Sequence, residues 1–166
     1  MYQKGYVMPI QIELDYPQIM MGVYAGGVRH LQFLKRNARP MYGKDVSTLW
    51  GEQIEGALSE YALAKHLNVH WEGVGVAGGD DLKNEEVRVT TYENGSLLLH
   101  DADKDNKRYW LLTGENGKYT IHGYIYGKDG KQEKYWRDPV GGRPAFFVPQ
   151  LALIKPENKE KNWLDD

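Results

Sequence analysis

The sequence predicts a mixed fold, α/β in the broad sense (α+β), with leading helices packed on a mainly antiparallel central sheet. Three observations support this. Apolar residues recur at helical spacing in two segments before residue 68. After residue 85 they alternate with polar residues at strand spacing. Asn-Gly pairs at 94–95 and 116–117 separate short, aromatic-rich segments in the manner of hairpins. The 166 residues suffice for one domain with a real core; the expected division is 1–154 for that domain and 155–166 for a mobile charged tail.

The opening YVMPIQIEL reads as a strand or an extended arm. Pro17 suits the first turn of a helix, with Asp15 or Tyr16 before it. Ile19, Met20, Val23, Val28, Leu31, Phe33 and Leu34 form a rough apolar stripe, which predicts a helix from Pro17 to Asn37. Gly26 and Gly27 weaken it by about 1 kcal/mol each and mark a kink or a close helix packing. NARPMYGKD leads to a second helix, capped by Asp45 or Ser47 and ending at Leu67, with Asn68 at its C-cap. Ile54, Ala57, Leu58, Tyr61 and Leu67 give that helix one apolar stripe.

VHWEGVGV then reads as a short strand closed by the glycine-rich turn AGGDD. From Glu85 to Tyr92 the chain alternates, with Glu86, Arg88 and Thr90 on one face and Val87, Val89 and Thr91 on the other. A hairpin at Glu93-Asn94-Gly95 is expected to lead to SLLLH, and RYWLLTG and YTIHGYIYG complete an antiparallel meander. In the loop between them Asp101, Asp103 and Asp105 alternate like calcium ligands, but the glycine and terminal glutamate of such a loop are missing. Beyond Lys128 the pattern is irregular, and Tyr135, Trp136, Phe146 and Phe147 are expected to cover one side of the sheet.

Composition narrows the function classes. With 41% hydrophobic and 27% charged residues the chain is ordinary for a globular protein. No apolar run approaches the ~20 residues of a membrane span, and no signal peptide is visible. The absence of cysteine excludes disulfides, thiolate metal sites and a cysteine nucleophile, and fits a cytoplasmic location. A net charge of −2 excludes a globally positive surface, yet residues 1–44 carry Lys4, Arg29, Lys35, Arg36, Arg39 and Lys44 against Glu13 and Asp15. Those cations either complement a helix C-terminus or contact phosphate.

Glu60 stands out on the second helix. Its neighbours one turn away are Gly56, Ala57, Leu63 and Ala64, which favour burial, and an unpaired buried carboxylate costs several kcal/mol. It needs a metal, a cation or a raised pKa, unless it lies at the helix edge beside Lys65. Asp81 in the glycine-rich turn and the Glu86/Arg88 face of the following strand complete an acidic set with one fixed cation.

Glu60 on a helix, then Asp81, then Glu86-Val87-Arg88 on a strand resembles the acidic core of the PD-(D/E)XK nuclease superfamily. From Tyr16 to Leu153 the chain is also similar to a group of uncharacterised phage-encoded proteins that share the IEGALSEYALAKHL-like helix, the aspartate and the strand after it, and the RPAFFVPQ-like ending. The resemblance implies a restriction-endonuclease-like core and a metal-dependent DNA nuclease of the host cell cytoplasm. Mg²⁺ or Mn²⁺ would be held by Asp81, Glu86 and the Val87 carbonyl, with Glu60 binding through water or serving a second ion. Arg88 would clamp the phosphate, Thr90 would hydrogen-bond it, and Arg29, Arg36, Arg39 and Lys44 would steer the DNA backbone.

The superfamily has lysine where this chain has Arg88. A guanidinium stays protonated and cannot serve as a general base, although it can hold phosphate bidentately. This departure keeps a second reading open: a catalytically impaired nuclease-like fold that acts as a nucleic-acid- or protein-binding phage accessory protein.

Overall fold

The computed structural model describes residues 8–39, 45–74 and 82–157. Asp81, Lys44, the AGGDD turn and the tail from residue 158 onward lie outside the described residues. The architecture is mixed α+β, with helices and two mostly antiparallel sheets.

The N-terminal elements follow their local chemistry. Strand β1 (Ile10–Glu13) leads into helix α1 (Tyr16–Lys35). Asp15 caps α1: its carboxylate accepts from the Gln18 amide at 2.9 Å, the Gln18 side chain accepts from the Asp15 amide, and Pro17 occupies the first turn. Helix α2 (Leu49–Leu67) follows a 3-10 turn in which Asp45 accepts from the Ser47 amide at 2.9 Å. It ends at Asn68, which adopts the left-handed conformation expected of a C-cap.

The predicted stripe of α1 faces the wrong way for a core helix. Met20, Val23, Leu31 and Leu34 are exposed, while the buried face is Gly22, Ala25, Gly26 and His30. The reason is steric. An added Cβ on Gly26 would lie 2.5 Å from Ile54 Cα and 2.7 Å from the Gln53 carbonyl oxygen. The helices therefore cross almost backbone to backbone, which only the small residues of α1 permit.

Sheet A runs β1, β5 (Lys118–Tyr126), β4 (Arg108–Glu115), β2 (Glu85–Thr90); only the β2–β4 pair is parallel. Sheet B runs β3 (Leu97–Leu99), β7 (Ala145–Val148), β6 (Trp136–Arg137). A short helix, α3 (Gly127–Gly130), follows β5. Two cores result. Ala57, Leu58 and Leu63 of α2 pack with Trp110 and Leu112 on one face of sheet A. Tyr109 and Leu111 on its other face pack with Leu97, Leu99, Phe146 and Val148 of sheet B.

Three expectations are corrected. The meander holds only for β4–β5, where Asn116 and Gly117 both have positive φ, as a tight hairpin turn requires. At Asn94-Gly95 neither residue has positive φ, and the chain leaves sheet A there to pair β3 with β7. This excursion is the crossover that a parallel β2–β4 pair needs. Residues 69–74 form no strand. The segment beyond Lys128 is not irregular: β6 and β7 pair in sheet B, where Trp136 and Phe146 stack edge to face at 4.7 Å, and Phe146 and Tyr135 cover one side of sheet A as expected.

His122 on β5 is buried, with Nε2 2.7 Å from Thr113 Oγ1. Burial, then the charge of Lys155, push its pKa below the ordinary imidazole value, against the pull of Glu93. The unfolded chain takes up that proton near pH ~6.5, so acidification favours unfolding. Stability from this group is present above about pH 6.5 and is lost as the pH falls through the lower folded value. Urea midpoints measured at pH 7.5 and at pH 5.5 should differ less for His122→Gln than for the parent chain.

The helix crossing yields a paired test by thermal or urea denaturation. Gly26→Ala should destabilise by about 2–4 kcal/mol, because backbone has to move. Gly27→Ala, where a Cβ meets nothing within 4 Å, should be neutral or stabilise by up to about 1 kcal/mol.

Candidate functional site

Glu60 is buried, 5% exposed, as its small neighbours predict. Its partner is Arg29 across the helix crossing, not Lys65. Arg29 donates from both terminal nitrogens to the two carboxylate oxygens, each at 2.7 Å. It also donates to the Gly73 carbonyl, and Trp71 Nε1 donates to Glu60 Oε2 at 3.3 Å. Lys65 instead reaches the Glu13 carbonyl at 2.9 Å and Gln18 Oε1 at 3.1 Å. Arg29, expected to steer nucleic acid, thus acts as an internal counter-ion.

Glu86 lies on the opposite face of sheet A. It is in register with Tyr109, which belongs to the core shared with sheet B, whereas Val87 and Val89 face α2. Lys107 donates to Glu86 Oε1 at 2.6 Å, and Arg88 stands 3.9 Å from Oε2. Arg88 also bonds Asp103 Oδ1 at 3.0 Å, caps the Tyr109 ring at 5.1 Å and donates to the Val87 carbonyl at 3.3 Å. Lys131 extends this network to Asp105 Oδ1 at 2.6 Å and the Asp103 carbonyl at 2.7 Å. The alternating aspartates therefore fasten their loop beneath the sheet. Tyr109 is pushed to a higher pKa by burial and then by Asp103.

The expected convergence on one cation is not seen among the described residues. Glu60 and Glu86 face opposite sides of the sheet, the Val87 carbonyl accepts a hydrogen bond from the Arg88 guanidinium, and Asp81 is outside the described residues. No three acidic or histidine side chains among the described residues stand where they could share a metal ion. Mg²⁺ or Mn²⁺ takes several hard oxygen ligands, and Glu60 and Glu86 do not supply them together. Of the other expected contacts, Arg36 and Arg39 are exposed, Arg36 donating to the Gln32 carbonyl at 3.2 Å. Thr90 Oγ1 accepts from the Tyr92 amide at 3.3 Å, and Lys44 is not described.

Sequence reasoning missed Glu85. It is 6% exposed, accepts from Trp110 Nε1 at 2.6 Å and is bonded by Arg108, its register partner on β4. The signal was available: strand alternation puts Glu85 on the Val87/Val89 face, the same apolar context that singled out Glu60. The Arg108 guanidinium lies 5.1 Å from the centre of the Tyr124 ring and 5.8 Å from that of Trp110. Burial opposes its charge, but Glu85 and then Tyr124 outweigh this and raise its pKa.

Above this group opens a cleft of about 390 Å³ between the end of α2 and the starts of β2 and β4. His66, His70, Lys83, Arg108 and Lys155 line it, against Glu85 and Glu157. It offers a half-buried aromatic face, a guanidinium and two lysines within one small volume, a suitable set for a planar anion. No protein-family model, curated protein or solved structure matches the chain.

Removing one partner of the buried pair tests its role. Arg29→Met should destabilise by about 3–5 kcal/mol, since it strands the Glu60 carboxylate. Adding Glu60→Met should recover most of that loss in urea denaturation, because no buried charge then remains unpaired.

Proposed function

We propose that this domain grips single-stranded nucleic acid without cutting it. The observation that supports this reading is the cleft floored by Tyr124, Trp110 and Arg108 and rimmed by Lys83, Lys155, His66 and His70. A base stacks on Tyr124 and the guanidinium beside it, while the lysines meet the adjoining phosphates. The engagement of Glu60 by Arg29 and of Glu86 by Lys107 favours binding over hydrolysis, because each carboxylate already has a counter-ion. Arg88 favours it too, since a guanidinium cannot activate water by taking its proton. The acid-and-guanidinium pattern of a PD-(D/E)XK-like chain then serves architecture, in a phage accessory protein.

Fluorescence anisotropy with a labelled single-stranded oligonucleotide tests the reading. Affinity should fall as salt rises, and Lys83→Glu with Lys155→Glu should weaken binding at least about tenfold at fixed salt. Tyr124→Ala should cost about 1–3 kcal/mol of binding. DNA incubated with the protein and Mg²⁺ or Mn²⁺ should stay intact. Cleavage that vanishes in Glu86→Ala would overturn this reading and restore the metal-dependent nuclease.

A further inference from the structure

Helix α1 buries one face on α2 and leaves the opposite face bare. Tyr16, Met20, Val23, Tyr24, Leu31 and Leu34 fall on that bare side at helical spacing, with Tyr16 74% and Leu31 56% exposed. From their exposed fractions they present on the order of 650 Å², approaching the ~800 Å² per partner of a standard specific interface and at the upper end of the ~300–600 Å² patch usual on a monomer. Between Tyr16 and Lys35 the only charged side chains are Arg29, bound to Glu60, and Lys35 itself. A helix face turned to water ordinarily carries charge.

We propose that α1 pairs with α1 of a second copy of this chain, antiparallel about a twofold axis. The stripe is self-complementary in that sense. Reversing one helix sets Tyr16 against the partner's Leu34, Met20 against the partner's Leu31, and Val23 against the partner's Gly27. Gly27 supplies the fit: a Cβ there meets nothing within 4 Å, so the middle of the stripe holds a notch that receives a side chain and lets the two helices approach closely. The ends match electrostatically. Glu13 and Asp15 flank the start of α1 and Lys35, Arg36 and Arg39 its end, so antiparallel pairing joins acid to base at both ends. A lipid surface fits less well, because adsorbed helices carry lysines or arginines along their length and gain nothing from a notch.

Sedimentation of the full chain over a range of concentrations tests the proposal. The parent chain should be dimeric, and Gly27→Leu should raise the dimer dissociation constant at least tenfold while its melting temperature, read where it is monomeric, stays level or rises. Leu31→Glu should give the same dissociation. The chain has no cysteine, so disulfide trapping reports geometry cleanly. A mixture of Val23→Cys and Gly27→Cys should cross-link on oxidation, whereas Tyr16→Cys alone should not. A parent chain monomeric at all concentrations, a Gly27→Leu variant as dimeric as the parent, or cross-linking of Tyr16→Cys to itself would overturn the proposal.

Discussion

Arg29 and Glu60 are the interaction on which the helical layer depends. α1 meets the rest of the protein chiefly through α2, and at the crossing it does so through Gly22, Ala25 and Gly26, which bury little apolar area, with His30 against Trp50 beyond them. Contact of that kind gains from close dispersion but lacks the transfer energy of large side chains. A bidentate, largely desolvated ion pair spanning the crossing supplies what the small residues cannot: a direction and a register for the two helices. Trp71 and the Gly73 carbonyl add further bonds to the pair and draw the chain after α2 onto the same seam.

Much of the fold was legible because local chemistry acted alone. Asp15, Pro17 and Asn68 set helix ends by capping and φ preference, and Asn116-Gly117 closed its hairpin by the same means. The errors arose where a distant partner decided. Asn94-Gly95 has the composition of a hairpin turn, but β2 finds β4 as a parallel neighbour and β3 finds β7, so the turn only redirects the chain. In α1, periodicity located an apolar stripe correctly and its meaning wrongly. Hydrophobic spacing says which residues share a face; it does not say which face the rest of the protein takes. Gly22 and Gly26 decided that, since they alone allow α2 to approach.

The site divides in the same way. Burial of Glu60 followed from its neighbours on one helix, but its counter-ion sits thirty-one residues earlier on another helix, beyond any local pattern. Glu86 and Arg88 were correctly placed on one face of a strand, and that face is covered by sheet B and by the loop of aspartates. Glu85 shares the Val87/Val89 face, but its counter-ion Arg108 sits twenty-three residues later on a neighbouring strand, beyond any local pattern.

Strand β2 thus carries a carboxylate on each face, and each is neutralised by a cation from the chain itself: Glu85 by Arg108, Glu86 by Lys107 with Arg88 nearby. A carboxylate in low dielectric needs a compensating positive charge, and an internal side chain and a metal ion are competing ways to supply it. Choosing the internal cation has two consequences. The acids already spend on these cations part of the hydrogen-bonding capacity a metal would draw on, and the basic groups lose much of the field that would attract phosphate. Lys83 and Lys155 stand at the rim of the cleft, with Arg108 held against Tyr124 by its salt bridge to Glu85. Both faces of β2 are therefore tied into the protein's own packing, and the aromatic and cationic side chains of the cleft meet beside its first residue.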